Sequence, residues 1–192
     1  FFSKYRKNFS TLKGLINAAA VQPPIGNFID NSSVAWSENL KINLFGSLNM
    51  IRYAIPLLKN NNHNKIINFS GGGATSARPG FSAYAVSKTG IVKMTEILAS
   101  ELKKYLIDIN VVAPGAVNTR MLKEILDSRE KITELEYDYA LDREKTGGDP
   151  PNKIYELCEF LLSIKSNGIS GKFISAVWDP WIKKSFQEKL KK

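Results

Sequence analysis

Residues 69–88 read FSGGGATSARPGFSAYAVSK and end in a tyrosine and a lysine four positions apart, Tyr84 and Lys88. On a helix that spacing puts the phenol and the ammonium on one face, within reach of each other. A free tyrosine titrates at about 10 and is a poor base at neutral pH, but an adjacent positive charge favours the phenolate and brings it down. The chemistry such a pair serves is proton transfer at an oxygen, as in reducing a carbonyl or oxidising an alcohol.

The three glycines before the tyrosine offer a different reading, a loop that cradles phosphate. A P-loop requires GxxxxGK followed by Ser or Thr, and a dinucleotide turn requires GxGxxG opening directly into a helix. Counted from Gly71, the third glycine position falls on Ser76, and no Gly-Lys pair occurs in the stretch. The spacing argues against phosphate and leaves a plain glycine turn as the bland alternative to a proton-transfer site.

The elements that must hold Tyr84 and Lys88 follow from the pattern of apolar residues. LKGLINA (12–18) and KIINFS (65–70) are short apolar runs suited to buried strands, and IDINVVA (107–113) is a third, stopped by Pro114 and Gly115. Between them, Leu44, Leu48, Ile51, Ile55 and Leu58 recur at helical spacing in a segment from about Ser33 to Lys59, with Pro56 bending its last turn. A second long helix is expected from about Ser82 to Tyr105, carrying Ile91, Met94, Leu98, Leu102 and Tyr105 on one face. Residues 118–149 are polar, with two weak helical patches. Pro150 and Pro151 then open a helix through Ile154, Leu157, Cys158, Leu161 and Leu162, and a last strand is expected near 171–177. Strand and helix alternating in this way predict an α/β fold with a parallel sheet, whose ligands bind beyond the carboxyl ends of the strands.

Bulk composition narrows the function classes. The chain has 192 residues, 43% of them apolar, enough for one domain with one good core. Much of the net charge of +9 is local: residues 183–192 carry five lysines and one glutamate, and the tail 178–192 reads as solvated and basic. With no aromatic RNA-binding motif and no zinc-finger spacing, no nucleic-acid partner is expected. No apolar run is long enough to span a bilayer, so no membrane partner is expected either. The single cysteine, Cys158, excludes an internal disulfide and suits a reducing, cytoplasmic compartment, where it reads as a small core residue. The one histidine, His63, lies in the polar run KNNNHNK without a second ligand nearby, and no metal is expected.

Tyr84 and Lys88 follow a strand and a small-residue loop, and the string NVVAPGAVNTRM follows the next strand. Together with LINAAA after the first strand and INLFG in the long helix, these motifs strongly resemble the short-chain dehydrogenase/reductase family over residues 10–178. The resemblance implies a Rossmann-type doubly wound parallel sheet, here its later strands, about four of them. It implies NAD or NADP as cofactor, a small-molecule alcohol or carbonyl substrate, and a homo-oligomer when full length. Tyr84 matches the family's catalytic acid/base, Lys88 its partner that also bonds the nicotinamide ribose, and Asn43 the helix asparagine supporting a water that leads protons to the lysine. Pro114, Gly115, Val117 and Thr119 match the loop that holds the carboxamide. Asn17, Ala18, Ala19 and Ala20 stand where the family has NNAG, with alanine keeping the site small. Residues 118–149 correspond to the lid that selects substrate.

At one position the sequence departs more sharply. The family's substrate-orienting serine stands thirteen residues before the tyrosine, and that residue here is Gly71. Ser70 is one residue early, which on a strand end points its side chain to the other face. Ser70, Gly71 through its backbone, Thr75 and Ser76 are the candidates for the missing contact. The chain also opens on FFSKYRKNF, read as the end of a helix, and the family's glycine-rich cofactor turn does not occur. It is therefore expected to be a carboxyl-terminal fragment, a single truncated domain over 1–192 and inactive alone. The competing reading, from Gly71, is a non-catalytic scaffold of the same fold.

Overall fold

The computed structural model describes residues 2–59 and 62–192. The polar run KNNNHNK falls partly outside them. Four strands form one sheet: β1 (Gly14–Asn17), β2 (Asn64–Phe69), β3 (Ile107–Ala113) and β4 (Phe173–Ser175). They lie in sequence order and every neighbouring pair is parallel. The carboxyl ends of the strands, where Asn17, Phe69, Ala113 and Ser175 stand, therefore share one edge of the sheet.

A short helix α1 (Phe2–Asn8) precedes the sheet. The long helix expected from Ser33 is α2 (Ser33–Leu40) and α3 (Gly46–Leu58), joined through one π turn over Lys41–Phe45. Pro56 lies within the last turn of α3. Helix α4 (Ser82–Leu102) is extended by a 3-10 turn to Tyr105, and Leu106 then reverses the chain in the left-handed conformation before β3. The polar interval resolves into α5 (Arg120–Leu126) and α6 (Glu134–Thr146). Thr133 caps α6 by accepting from the Glu136 amide, acidic residues fill its first turn, and Gly147 closes it at a φ of 86°. The closing helices are α7 (Asn152–Leu162) and α8 (Lys184–Leu190).

The β-branched residues of the strands divide between two cores, as a doubly wound sheet requires. Leu15, Ile66, Ile107 and Ile109 pack against Ile51, Ala54 and Leu58 of α3 and Leu102 of α4. On the opposite face Ile67, Val112 and Ile174 meet Ile154, Leu157 and Leu161 of α7, with Cys158 packed against the cluster. Burial pushes the Cys158 thiol up to about 11, which suits a packing residue better than a nucleophile. The expected last strand is shorter than its apolar run: residues 171–172 lead in as a turn, and the chain leaves the sheet after Ser175.

A third apolar cluster covers the carboxyl edge. Phe81 and Tyr84 from the start of α4 pack with Leu122 and Ile125 of α5 and Ala140 of α6. The 118–149 segment thus lies over the tyrosine rather than extending from the body.

Candidate active site

Tyr84 and Lys88 both point inward from the first turns of α4, with 6% and 3% of their surface exposed. The lysine ammonium donates to the carbonyl of Phe69, the last residue of β2, at 3.0 Å. It stands 5.6 Å from the centre of the Tyr84 ring. One of its three N–H groups is thus used, which leaves two as potential donors.

The electrostatics differ from the sequence reading in one respect. Lys88 was expected to bring the phenol down. Burial instead pushes Tyr84 above its ordinary value, and the opposing pull comes from the charge of Arg78. Burial also draws the Lys88 ammonium down to about 8. Both groups are packed deeply enough that loss of water outweighs their effect on each other.

Gly71 lies directly against the tyrosine. A Cβ at this position would overlap the Tyr84 hydroxyl and lie 2.9 Å from Cζ. The phenol therefore occupies space that any side chain at 71 would need. The neighbouring candidates separate: Ser70 is buried, 3% exposed, and its hydroxyl has no hydrogen-bond partner among the described residues. Thr75 and Ser76 are exposed on the loop.

Asn43 sits in the π turn and binds the segment after β1. Its amide nitrogen donates to Val21 O at 2.9 Å, to Asn39 Oδ1 at 2.9 Å and to Ser87 Oγ at 3.0 Å, while its oxygen accepts from Val21 N at 2.9 Å. It reaches the residue beside Lys88 and not the lysine itself. Asn39, one turn earlier, donates to the carbonyls of Val21, Gln22 and Pro23. These bonds hold the chain that follows Ala18, Ala19 and Ala20, of which the first two are exposed and offer only methyl groups. Asn17 donates to Asn68 Oδ1 at 2.9 Å and Asn68 to Thr95 Oγ1 at 2.9 Å, tying β1, β2 and α4 together.

After β3, Pro114 and Gly115 turn the chain toward the segment 147–149. Gly115 has a φ of 82°, and a Cβ there would lie 2.5 Å from Asp149 Oδ2. Asp149 accepts from Ala116 N at 2.6 Å, Val117 bridges Gly148, and Arg143 Nη2 donates to Val117 O at 3.1 Å. Thr119 caps α5. A cleft of about 530 Å³ opens from Thr119 between α5 and α6, lined also by Leu122, Leu126, Tyr137 and Leu141. Small side chains after β1, a pinned loop after β3 and an ammonium with free N–H groups between them fit the nicotinamide half of a dinucleotide.

Arg78, Glu136, Asn39 and Asp149 belong to this edge and escaped the sequence reading. Asp149 lies between Gly148 and Pro150, residue types that mark a chain reversal; nothing in the spacing of Arg78 pointed to Tyr84.

Residues 1–176 match the family described as enoyl-(acyl carrier protein) reductase. A human relative, dehydrogenase/reductase SDR family member 4, is 29% identical over 160 residues, covering 83% of this chain and 56% of its own length. The chain belongs to the short-chain dehydrogenase/reductase family. Another dehydrogenase/reductase, 3-oxoacyl-[acyl-carrier-protein] reductase FabG of Thermotoga maritima, is 31% identical over 140 residues, 72% of this chain and 54% of its own. The chain thus spans little more than half the length of these relatives. Among solved structures, an NAD+-bound xylitol dehydrogenase superposes with a TM-score of 0.80 at 20% identity, covering 90% of this chain and 70% of that one. A gluconate 5-dehydrogenase from Burkholderia cenocepacia, in complex with NADP and tartrate, gives 0.78 at 21%, covering 91% and 66%. These two likenesses extend the dehydrogenase/reductase assignment to the fold.

Proposed function

We propose that this short-chain dehydrogenase/reductase interconverts a secondary alcohol and a carbonyl with NAD or NADP, and that Tyr84 is its acid/base. The observation that carries the reading is the buried Tyr84–Lys88 pair at the carboxyl edge of the sheet, under the apolar cover of α5 and α6. NAD(P), when bound, supplies or accepts the hydride. Asn17 to Ala20, Lys88 and the Pro114–Thr119 loop are the residues that hold its nicotinamide end. Tyr84 gives its proton to the carbonyl oxygen during reduction and takes it back from the alcohol during oxidation. Lys88, positive below about pH 8, favours the charged states on either side of that transfer. The α5–α6 segment excludes water and, with its cleft, selects the substrate.

Two solved structures of similar fold support the nucleotide: the xylitol and gluconate dehydrogenases contain NAD+ and NADP. Because the chain spans 56% of the human relative, we propose that turnover belongs to a polypeptide that also supplies the remaining length. The 192 residues alone should bind NADH or NADPH poorly; saturable quenching of the nucleotide's fluorescence by the isolated chain at low micromolar affinity would overturn this.

The decisive assay is nucleotide-linked turnover of a panel of ketones and aldehydes by the full-length protein. Tyr84→Phe should lower kcat by about 10²- to 10⁴-fold, the usual contribution of a positioned proton donor. A Tyr84→Phe enzyme of full activity would remove Tyr84 from the role. The scaffold reading predicts no turnover in the unaltered protein on any member of the panel.

A further inference from the structure

Gly71 removes the family's serine hydroxyl; of the alternatives nearest in sequence, Ser70 is buried with its hydroxyl unpartnered among the described residues, and Thr75 and Ser76 are exposed. Two consecutive glycines nevertheless receive two functional groups. The Tyr84 phenol fills the place of a Cβ at Gly71. At Gly72, a Cβ would lie 3.1 Å from Arg78 Nη1 and 3.5 Å from Cζ. A side chain at 71 would displace the phenol and one at 72 would crowd the guanidinium, so the two glycines let a phenol and a guanidinium each approach neighbouring residues of one loop.

The guanidinium is held, not waving in solvent. It lies 3.9 Å over the ring of Phe81, which is fully buried. Its Nε donates to Glu136 Oε1 of α6 at 3.0 Å, and Nη2 donates to the same oxygen. The Nη1 edge makes no hydrogen bond among the described residues and faces the glycines. A carboxylate behind and an aromatic face below fix a planar donor with one edge left over.

We infer that Arg78 takes the place of the missing serine: its Nη1 edge donates to the substrate's carbonyl oxygen beside the Tyr84 hydroxyl. The inference rests on the proposed carbonyl–alcohol reaction at Tyr84. A fixed cationic donor aimed at an oxygen that gains negative charge stabilises the transition state more than the ground state. The same charge draws the Tyr84 phenol down against its burial, so one residue performs both tasks. Glu136 is then a positioning residue, and through it the lid helix α6 sets the angle of the donor.

The test compares Arg78→Ala, Arg78→Gln and Tyr84→Phe with the unaltered full-length enzyme. Arg78→Ala should lose about 10²- to 10³-fold in kcat, as for removal of one oxyanion donor. Millimolar guanidinium chloride, but not sodium chloride, should restore part of it. In alcohol oxidation the acid limb of the pH profile should move to higher pH, because the phenolate forms less readily. A readout independent of turnover is the tyrosinate absorbance of Tyr84, taken as the difference from Tyr84→Phe: it should appear at higher pH in both Arg78 variants. Arg78→Gln keeps the stem over Phe81 and guards against simple misfolding. If both variants keep the parent kcat and Tyr84 titration while Tyr84→Phe is inactive, the inference falls and the proposed reaction stands. Loss of kcat with no guanidinium rescue and no shift in the titration also overturns it, since that marks a structural role. An active Tyr84→Phe enzyme fails the underlying reading instead.

Discussion

Restoring the residue that the family has at position 71 should not restore a better enzyme. In Gly71→Ser the new Cβ meets the Tyr84 hydroxyl, and the phenol, wedged under Leu122 and Ile125, must move aside. A displacement of about 1 Å at the reacting group can cost on the order of 10²-fold. Gly71→Ser and Gly71→Ala should therefore both lower kcat/KM, and similarly, because the loss comes from the Cβ they share. A serine variant faster than the glycine parent would show that the phenol yields easily and the vacant hydroxyl was the real deficit. Lys88 gives a second prediction at this scale. Its ammonium titrates at about 8 in the folded chain against 10.5 when exposed, so between these values the unfolded state binds more protons and stability rises with pH. The full difference is worth about 3 kcal/mol. Lys88→Met lacks this titration. Measured by urea midpoints, the variant's advantage over the parent should shrink from pH 7.5 to pH 10.5, taken as about the window in which a lysine so shifted loses its proton. A constant difference would mean that the buried ammonium is not titrating.

One π turn organises much of the site. The extra residue in Lys41–Phe45 brings Asn43 to the segment after β1, and Asn39 holds the next carbonyls of the same segment. Asn43→Ala removes two N–H donors, shared among Val21 O, Asn39 Oδ1 and Ser87 Oγ, and one acceptor at a buried position, and leaves Val21 and Ser87 to find other partners. A loss of about 2–4 kcal/mol is expected, at roughly 1–3 kcal/mol for each group left unsatisfied with partial relaxation. A denaturation midpoint within error of the parent would mean that the bracket contributes nothing. The helix itself was legible as one amphipathic run, since Leu48, Ile51, Ile55 and Leu58 keep their period; the π turn was not, because all four of those residues lie after it. Strand β3 could be read to the residue, from a β-branched run with Pro114 after it. Tyr84, Lys88 and Asn43 stood out because short spacing on one element fixes where they point. Arg78 did not, since its position depends on a loop folding back over two glycines and on a carboxylate 58 residues away. The buried pair of Lys65 and Asp108, 2.8 Å apart at the opposite end of the sheet, was hidden for a similar reason: each lies in a strand read only as apolar.

Across the whole molecule, the sheet is protected on its faces but not at β1. That strand hydrogen-bonds only to β2 among the described residues, and its side chains divide: Leu15 enters the α3–α4 core, whereas Ile16 is 44% exposed on the other face. An edge with unpaired backbone groups and an apolar side chain is a template for pairing with another chain, and a lysine on such an edge is the usual protection. Since the chain covers about half the length of its dehydrogenase/reductase relatives, this exposure bears directly on handling the 192 residues alone. Light scattering of the isolated chain should rise with concentration and time, and Ile16→Lys should delay that rise. The circular dichroism of the two should match, because position 16 carries none of the packing that sets the helices. If Ile16→Lys scatters as the parent does, association proceeds through another surface. The exposed Phe45, Tyr53 and Ile97 on the outer sides of the π turn, α3 and α4 are then the place to look. Phe45→Glu separates the two cases: it leaves edge pairing intact but weakens any association built on those helices. Sedimentation of both variants, singly and combined, would assign the association to the sheet edge or to the helical face.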